Sequence, residues 1–303
     1  MAVSKRTLRW LLKFPAEALL TSSTTLRKRI DARVEANSRL AAKYYPSARQ
    51  RSYLVPAAGP DRPYSVQLPV PPPELWICRE RTDDEYISTG REHVEAMRRI
   101  LAAAGFAFED GSRVLDFGCA GGRMIRWLRY EAERCEIWGA DIQARSILWC
   151  QQNLSPPFHF VTTTTFPHLP FPDNYFHLIY AAGVFSQFAD LAETWMLELR
   201  RILLPGGRLY VTINDRHSID LILDFPEHHR LHYLKELLLA FDEKTGCLRG
   251  GFGMFTVRRT LRDTHVFYDV DHLRRTWGRL FRLQSVTPEA YLFQTALVLE
   301  KPA

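Results

Sequence analysis

The sequence predicts an α/β fold built on a doubly wound, mostly parallel sheet. Two apolar runs, at 113–117 and 136–140, are predicted to be buried strands. Asp116 lies near the end of the first, and Asp141 directly follows the second. Small residues follow the first run, and an Arg-, Trp- and Leu-rich segment with helical spacing follows them. This pattern indicates a strand, a tight turn and the start of a helix. In an open parallel sheet, ligands bind outside the carboxyl ends of the strands.

The small-residue loop at 118–122 is the predicted binding element. Its glycines let the backbone approach a ligand that a Cβ would block, and the free N–H groups of a helix start would lie over it. Asp141 comes 25 residues after Asp116 and is placed to accept both hydroxyls of a ribose. Together these features predict a nucleoside-containing cofactor.

The first 54 residues form a predicted basic helical arm. Residues 1–51 hold twelve Lys and Arg against three acids, a net charge of +9, whereas the whole chain carries +6 and residues 52–303 carry −3. Apolar residues at helical spacing, Leu26, Ile30 and Val34, accompany these charges. The alternatives for the arm are contact with an anionic membrane surface and docking on the domain or a second copy. The acidic remainder argues against a nucleic-acid partner.

A Pro-rich linker is predicted at 55–82, followed by a compact domain at 83–302. The run of prolines and a valine at 69–73 makes the linker extended and stiff, and few contacts are expected to cross it. The domain begins with a predicted helix at 83–104 and ends with a helix at 271–280 and strands at 283–286 and 294–300.

An insertion at 214–262, with a helical stretch at 229–241, precedes that last helix. Because it follows the carboxyl end of a strand, it is the expected cap over the entrance for the substrate.

Four motifs carry a resemblance to a known family, over about residues 86–302, and the last of them is the final helix and two strands at 271–300. The order Asp116-x-Gly118-x-Ala120-x-Gly122 resembles the D/E-x-G-x-G-x-G motif of class I S-adenosylmethionine-dependent methyltransferases, whereas a dinucleotide site would use G-x-G-x-x-G. The stretch 169–180 resembles the family's L-P-F-x-D-x-x-F-D-L-I strand, and 197–209 resembles its helix, Pro-Gly-Gly turn and fifth strand. The loop is most similar to bacterial members with D-F-G-C-G-x-G-R.

This resemblance implies S-adenosylmethionine as the cofactor and a seven-stranded sheet with an antiparallel final strand. It implies methyl transfer to a small-molecule, sugar or lipid-linked acceptor, at a hydroxyl. A non-catalytic, cofactor-binding scaffold of the same fold is the alternative, because the motifs depart from the family at Ala120, Thr165, His177 and Gln187. These departures are interpreted as a variant cofactor pocket, and Ala120 is expected to be tolerated if its φ is not positive.

Candidate site residues follow from the loop, the two acids and the resemblance. Arg91 is the candidate partner of the cofactor's methionine carboxylate. The predicted cofactor-binding residues are Tyr86, Gly90, Arg91, Asp116, Gly118, Cys119, Ala120, Gly122, Asp141, Ile142, Thr165, Phe166, Ala181, Val184 and Gln187. The candidates for a general base are Asp215, His217 and His265, the polar residues at the mouth of the sheet.

No metal is predicted. The run Glu227-His228-His229-x-x-His232 places two histidines on one helical face, but no second ligand cluster accompanies them. The five cysteines are scattered without a C-x-x-C pair, which suits a reducing cytoplasm. The chain is therefore expected in the cytoplasm, with the arm as the candidate for peripheral contact at the inner membrane surface.

Overall fold

The computed structural model describes residues 68–77, 80–188, 191–258 and 264–303. The predicted arm and the linker before residue 68 lie outside this part of the chain. Helices begin and end here at α1 Asp83–Ala103, α2 Ala144–Asn153, α3 Ala192–Ile202, α4 Arg216–Leu223, α5 His232–Thr245, α6 Cys247–Gly250 and α7 Val270–Thr276. None of the helices in the described ranges is long and apolar enough to cross a membrane.

The strands in the described ranges are β1 Arg113–Phe117, β2 Glu136–Asp141, β3 His159–Thr162, β4 Phe176–Ala181, β5 Leu203–Ile213, β6 Met254–Val257, β7 His265–Tyr268, β8 Arg282–Tyr291 and β9 Gln294–Glu300. Seven of them form the central sheet, in the order β3-β2-β1-β4-β5-β9-β8, and β6 pairs with β7 in a separate two-stranded sheet. The first five pair in parallel, and β9 is antiparallel to both β5 and β8. The predicted fold class is confirmed, including the antiparallel final strand.

Both faces of the sheet are buried, as expected for doubly wound strands. Leu115 and Leu209 belong to the core on the α3 face, whereas their neighbours Val114 and Tyr210 belong to the core that contains residues of α1 and α2. Successive side chains on a strand point to opposite faces, so one apolar run supplies both cores.

Helix α1 begins where its capping residue predicts. The Thr82 side chain accepts a hydrogen bond from the Glu85 N–H, and three acids occupy the first turn. Such a cap satisfies a free N–H, and the acids interact favourably with the positive end of the helix dipole. One face of the helix, which includes Tyr86 and Gly90, lies against the loop after β1 and the chain that follows it.

The segment after the glycine loop differs from the prediction. Instead of an α-helix, it forms turns and a 3-10 helix at Ile125–Leu128, with the Trp127 N–H bonded to the Met124 carbonyl. Arg123 and Arg126 are both buried in this segment and both contact α1. Both arginines therefore lie on the side of this segment that faces α1.

The insertion forms a layer with its own apolar core. Its members, from α4, α5, β6 and β7, are Ile219, Ile222, Leu234, Leu238, Phe255, Val257 and Phe267. The strand β7 lies beside the end of β5, because the Tyr268 N–H donates to the Asn214 carbonyl and the Asn214 amide donates to the Val266 carbonyl. The insertion therefore stands at the carboxyl edge of the sheet, and its two-stranded sheet continues past residue 262.

Candidate active site

The loop after β1 meets the turn after β4 at Gly118. Gly118 has φ = +87°, and a Cβ built on it would overlap Cγ2 of Val184. A side chain is therefore excluded twice, by backbone conformation and by the close approach of Val184. The predicted site residues Gly118 and Val184 are brought into contact.

Ala120, at the centre of the loop, was expected to be tolerated only if its φ is not positive. Its φ is +48°, in the left-handed region, so this condition is not met. Its N–H donates to Oδ2 of Asp141 at 2.8 Å, which holds the strained residue against the end of β2. The alanine therefore keeps the glycine-like conformation at a cost of about 1–2 kcal/mol.

Asp141 is fixed by backbone donors at both oxygens. Besides the bond from Ala120, its Oδ1 accepts from the Gln143 N–H at 2.7 Å, and only 5% of the residue is exposed. Burial raises the pKa of its carboxyl, although these backbone bonds lower it. A carboxylate has about four acceptor positions, so both ribose hydroxyls can still be accepted.

Asp116 is the second buried acid and has a free acceptor. It lies beside Tyr180 in the β1–β4 pair, and its Oδ2 has no hydrogen-bond partner among the described residues. Burial raises its pKa to about 8, although the nearby Tyr180 hydroxyl lowers it and Asp141 raises it further. A buried oxygen without a partner at the binding loop is suited to a positively charged ligand.

The predicted linker contributes directly to the site over its described residues. The Trp76 ring stacks on Tyr86 with centroids 5.4 Å apart, and the Tyr86 hydroxyl donates to the Gly121 carbonyl at 3.1 Å. A Cβ on Gly121 would lie 3.1 Å from Pro71. Residues 68–77 therefore cover the glycine loop, which the expectation of few crossing contacts did not foresee.

Gly90 allows α1 to lie against the chain after the loop. A Cβ there would be 2.5 Å from the Arg123 carbonyl oxygen. Arg123 itself is buried, donating to the Tyr291 hydroxyl at 2.6 Å and to Nδ1 of His93 at 3.0 Å, with Glu80 at 3.5 Å. Burial and Arg123 lower the pKa of His93 to about 3, so its neutral ring accepts this bond.

The remaining residues predicted to bind the cofactor differ in their exposure to solvent. Arg91 is exposed; its Nε lies 3.9 Å from Glu95 and its guanidinium 5.9 Å from the Trp127 ring centre. Ile142 and Thr165 are half-buried, and 75% of Phe166 is exposed. Cys119, Gly122 and Ala181 are buried, and Gln187 is exposed with its amide donating to the Gly183 carbonyl.

The three candidate bases have different surroundings. Asp215 caps α4, with its Oδ1 accepting from the N–H and the hydroxyl of Ser218, so it serves the helix. Nε2 of His217 lies 2.9 Å from Oε1 of Glu289, and 40% of the His217 side chain is exposed. His265 on β7 lies 3.4 Å from the Tyr233 hydroxyl.

His177 does not contribute to a variant pocket. Its Nδ1 accepts from the Arg113 N–H at 3.0 Å, where β1 begins, so it lies at the amino ends of the strands. The interpretation of this residue was wrong because its motif position places it on a strand but at the edge away from the ligand. Across the described ranges, no three His, Cys, Asp or Glu side chains group as metal ligands would.

The sequence reasoning missed several residues of the candidate site. Five lie near the loop, Glu80, His93, Arg123, Arg126 and Tyr291, and Glu289 lies beside His217. Two arginines in an otherwise apolar stretch at 123–128 were an available signal, because charged residues are rarely buried without a purpose. Glu289 and Tyr291 gave no local signal, since they reach the site from β8.

Comparison with known proteins finds similarity in the part of the chain that contains the glycine loop. Residues 115–211 match the family described as "Methyltransferase domain". The ubiquinone/menaquinone biosynthesis C-methyltransferase UbiE of Neisseria meningitidis serogroup C is 32% identical over 108 residues, which cover 33% of this chain and 42% of that protein. The match thus spans less than half of the relative's length.

Two solved structures are also similar. An S-adenosylmethionine-dependent methyltransferase from Methanosarcina mazei has a TM-score of 0.45 at 17% identity, covering 64% of this chain and 94% of its own. One from Clostridium acetobutylicum has a TM-score of 0.47 at 10% identity, covering 70% and 92%. Over its central third the chain is similar to a methyltransferase domain, and this match implies S-adenosylmethionine as the cofactor.

Proposed function

We propose that this protein transfers a methyl group from S-adenosylmethionine to a hydroxyl of a small-molecule, sugar or glycolipid acceptor. The observation that carries the proposal is the glycine loop between two buried carboxylates, of which Asp116 keeps an unpartnered oxygen. These groups fit a ligand with a ribose and a positively charged end. When bound, S-adenosylmethionine supplies an activated methyl group on a sulfonium.

The work of the chain is then mainly placement. Asp141 holds the ribose hydroxyls, and its bonds to Ala120 and Gln143 fix the carboxylate before the ligand arrives. Burial raises the pKa of Asp116, and a positively charged ligand beside its free oxygen would favour the ionised carboxylate. Holding two reactants about 3 Å apart and excluding water supplies much of the rate enhancement for such a displacement.

His217 is the proposed proton acceptor for the hydroxyl. The nitrogen that faces Glu289 carries the hydrogen, because a carboxylate accepts but does not donate. The other ring nitrogen, Nδ1, is then free to accept a proton, and Glu289 stabilises the resulting charge. Glu289 lies in an irregular part of β8 with φ = +54°, a backbone conformation more often found at functional sites.

A cofactor-binding scaffold is the second candidate function. The observation that favours it is the close approach of Val184 to Gly118, which fills space between the loop and the turn after β4. Catalysis requires a path for the acceptor to the methyl group through this region. A scaffold needs only the ribose and loop contacts.

Two measurements together test the proposal. Titration calorimetry with S-adenosylmethionine measures binding, and transfer of a labelled methyl group to a panel of sugars, glycolipids, phenols, quinones and small amines measures activity. We expect binding and a hydroxyl-methylated product, with NMR identifying the methylated atom. The name of the Neisseria relative denotes a C-methyltransferase, so a carbon-methylated product would replace the hydroxyl assignment.

Binding without transfer to any acceptor would favour the scaffold. Absence of binding would overturn both candidates. His217→Ala serves as the matched variant, since loss of transfer with unchanged cofactor binding supports the enzyme and His217 together.

The basic arm is the proposed contact for any partner other than the methyl acceptor. Peripheral contact with an anionic membrane, docking on the domain and oligomer contact remain the alternatives, in a cytoplasmic protein. Removing residues 1–50 and measuring both vesicle association and oligomeric state distinguishes them.

A further inference from the structure

Arg126 is a buried cation with almost no polar compensation. Only 4% of the residue is exposed, and neither Nε nor Nη1 has a hydrogen-bond partner within the described residues. Its Nη2 donates to the Pro69 carbonyl, and its guanidinium lies 5.8 Å from the Tyr86 ring centre. No described carboxylate forms an ion pair with it, and burial lowers its pKa below the usual value.

Its neighbour Arg123 provides a comparison, because its charge and its N–H groups have partners within the chain. Arg123 is equally buried but has Glu80 as its counter-charge, with Thr89 and Tyr291 as further acceptors. A buried charge without such partners is strongly unfavourable. Arg126 therefore has the properties of a group whose anionic partner arrives with a ligand.

The location of Arg126 indicates which anion this is. Its backbone N–H donates to the Gly122 carbonyl at 3.4 Å, and Tyr86, which its guanidinium faces, donates to the Gly121 carbonyl. Arg126 thus stands on the α1 side of the loop, whereas Asp141 holds the loop from the β2 side. A ligand whose ribose lies at Asp141 and that extends along the loop to its α1 side would therefore meet Arg126 with its other end.

We propose that Arg126 binds the carboxylate at the amino-acid end of S-adenosylmethionine, the role that the sequence predicted for Arg91. This inference rests on the proposed function. A carboxylate is a stronger partner for a guanidinium than the neutral Pro69 carbonyl, so the ligand displaces that contact and residues 68–77 reseat over it. The exposed Arg91, paired with Glu95, is left outside the site.

Ligand truncation separates this role from a structural one. S-adenosylhomocysteine carries the amino-acid end, and methylthioadenosine retains the adenosine and the sulfur without it. Calorimetry with both ligands is carried out on the full chain, on Arg126→Met and on Arg126→Lys. The matched control is Arg98→Met, which removes a neighbouring arginine that is already paired with Glu131.

We expect Arg126→Met to weaken S-adenosylhomocysteine binding roughly 10–100-fold, the range for hydrogen bonds to charged groups. Methylthioadenosine binding is expected to be unchanged, Arg126→Lys to be intermediate, and Arg98→Met to bind both ligands like wild type. Without ligand, the Tm of Arg126→Met is expected to rise, because an uncompensated charge is removed, whereas that of Arg98→Met falls.

Equal losses for the two ligands, or no loss for either, would overturn the assignment while leaving the proposed function intact. A fall in the ligand-free Tm of Arg126→Met would show that the guanidinium is compensated within the chain and would also overturn it. If inorganic phosphate stabilised wild type but not Arg126→Met while S-adenosylhomocysteine bound both equally, the anion would be separate from the cofactor. Wild type that binds neither nucleoside would overturn the proposed function and this inference with it.

Discussion

The loop side and the cap side of the candidate site are built in different ways. On the loop side, Asp116 and Asp141 are buried and held by strand ends, and Asp141 is fixed by two backbone N–H donors. On the cap side, His217 and Glu289 are partly exposed and meet through their side chains alone. The difference indicates a preorganised half that recognises a constant ligand and an adjustable half that faces a variable one.

The largest expected effect concerns the pH dependence that Asp116 gives to the loop side. Burial raises its pKa from 3.8 to about 8. The folded chain therefore keeps a proton that the unfolded chain releases, so stability falls as the pH rises between about 4 and 8. The slope reaches at most about 1.4 kcal/mol per pH unit. Asp116→Asn, which stays neutral, is expected to remove this slope and to be more stable than wild type at pH 8.

Urea unfolding at several pH values checks the Asp116 prediction. Curves for wild type and Asp116→Asn that run parallel from pH 4 to 8 would mean that the carboxyl is ionised in the folded protein. Burial would then not raise the pKa of Asp116 as described, although both acids of the loop side would still be buried.

His217→Ala tests the cap side. A general base contributes roughly 10²- to 10⁴-fold to kcat, and we expect a loss of that size with cofactor affinity unchanged. Glu289→Gln is expected to lower kcat by roughly 10-fold and to shift the pH profile, because it acts through the histidine. His159→Ala, at the amino end of β3, is the control. A loss of cofactor affinity in His217→Ala would place the histidine on the loop side instead.

Asp141→Ala tests the loop side, where Asp141 is assigned to the ribose hydroxyls. Its removal leaves ribose hydroxyls and the Ala120 and Gln143 N–H groups without an acceptor, which we expect to cost 1.5–3 kcal/mol of cofactor binding, roughly 10- to 150-fold in Kd. Glu136→Ala, at the other end of β2, is expected to leave the Kd unchanged. Titration calorimetry measures both, and equal affinities for wild type and Asp141→Ala would contradict the ribose assignment.

The same division explains how much the sequence could predict. The fold followed from apolar runs and turn residues, whose effects are local. The contacts of Gly118 with Val184 and of Ala120 with Asp141 were not predicted, although all four residues were named as candidates for the cofactor site. The 3-10 helix after the loop was not predicted. The segment contains Arg123 and Arg126, whose buried contacts with α1 are not visible in a local sequence pattern.

Residues that act across the chain escaped prediction for a related reason. Glu289 lies 72 positions from His217, and Tyr291 lies 168 positions from Arg123. Neither spacing has a periodicity that one sequence can reveal. The positive φ of Ala120 was also hidden, because an alanine gives no indication that its backbone is left-handed.

Ala120→Gly has the smallest expected effect and the most specific sign. Ala120 has φ = +48°, so glycine releases about 1–2 kcal/mol of backbone strain, partly offset by the greater freedom of glycine in the unfolded chain. We expect a net gain in unfolding free energy of about 0.5 kcal/mol and an unchanged Kd for the cofactor. Ala102→Gly, at an exposed position in α1, is expected to lose stability, because there glycine only adds freedom to the unfolded chain. Chemical denaturation of both variants measures the two signs. Equal losses would show that the loop relaxes away from the left-handed conformation, and a tenfold gain in affinity would mean that the Ala120 methyl group obstructs the ligand, which would favour the scaffold over the enzyme.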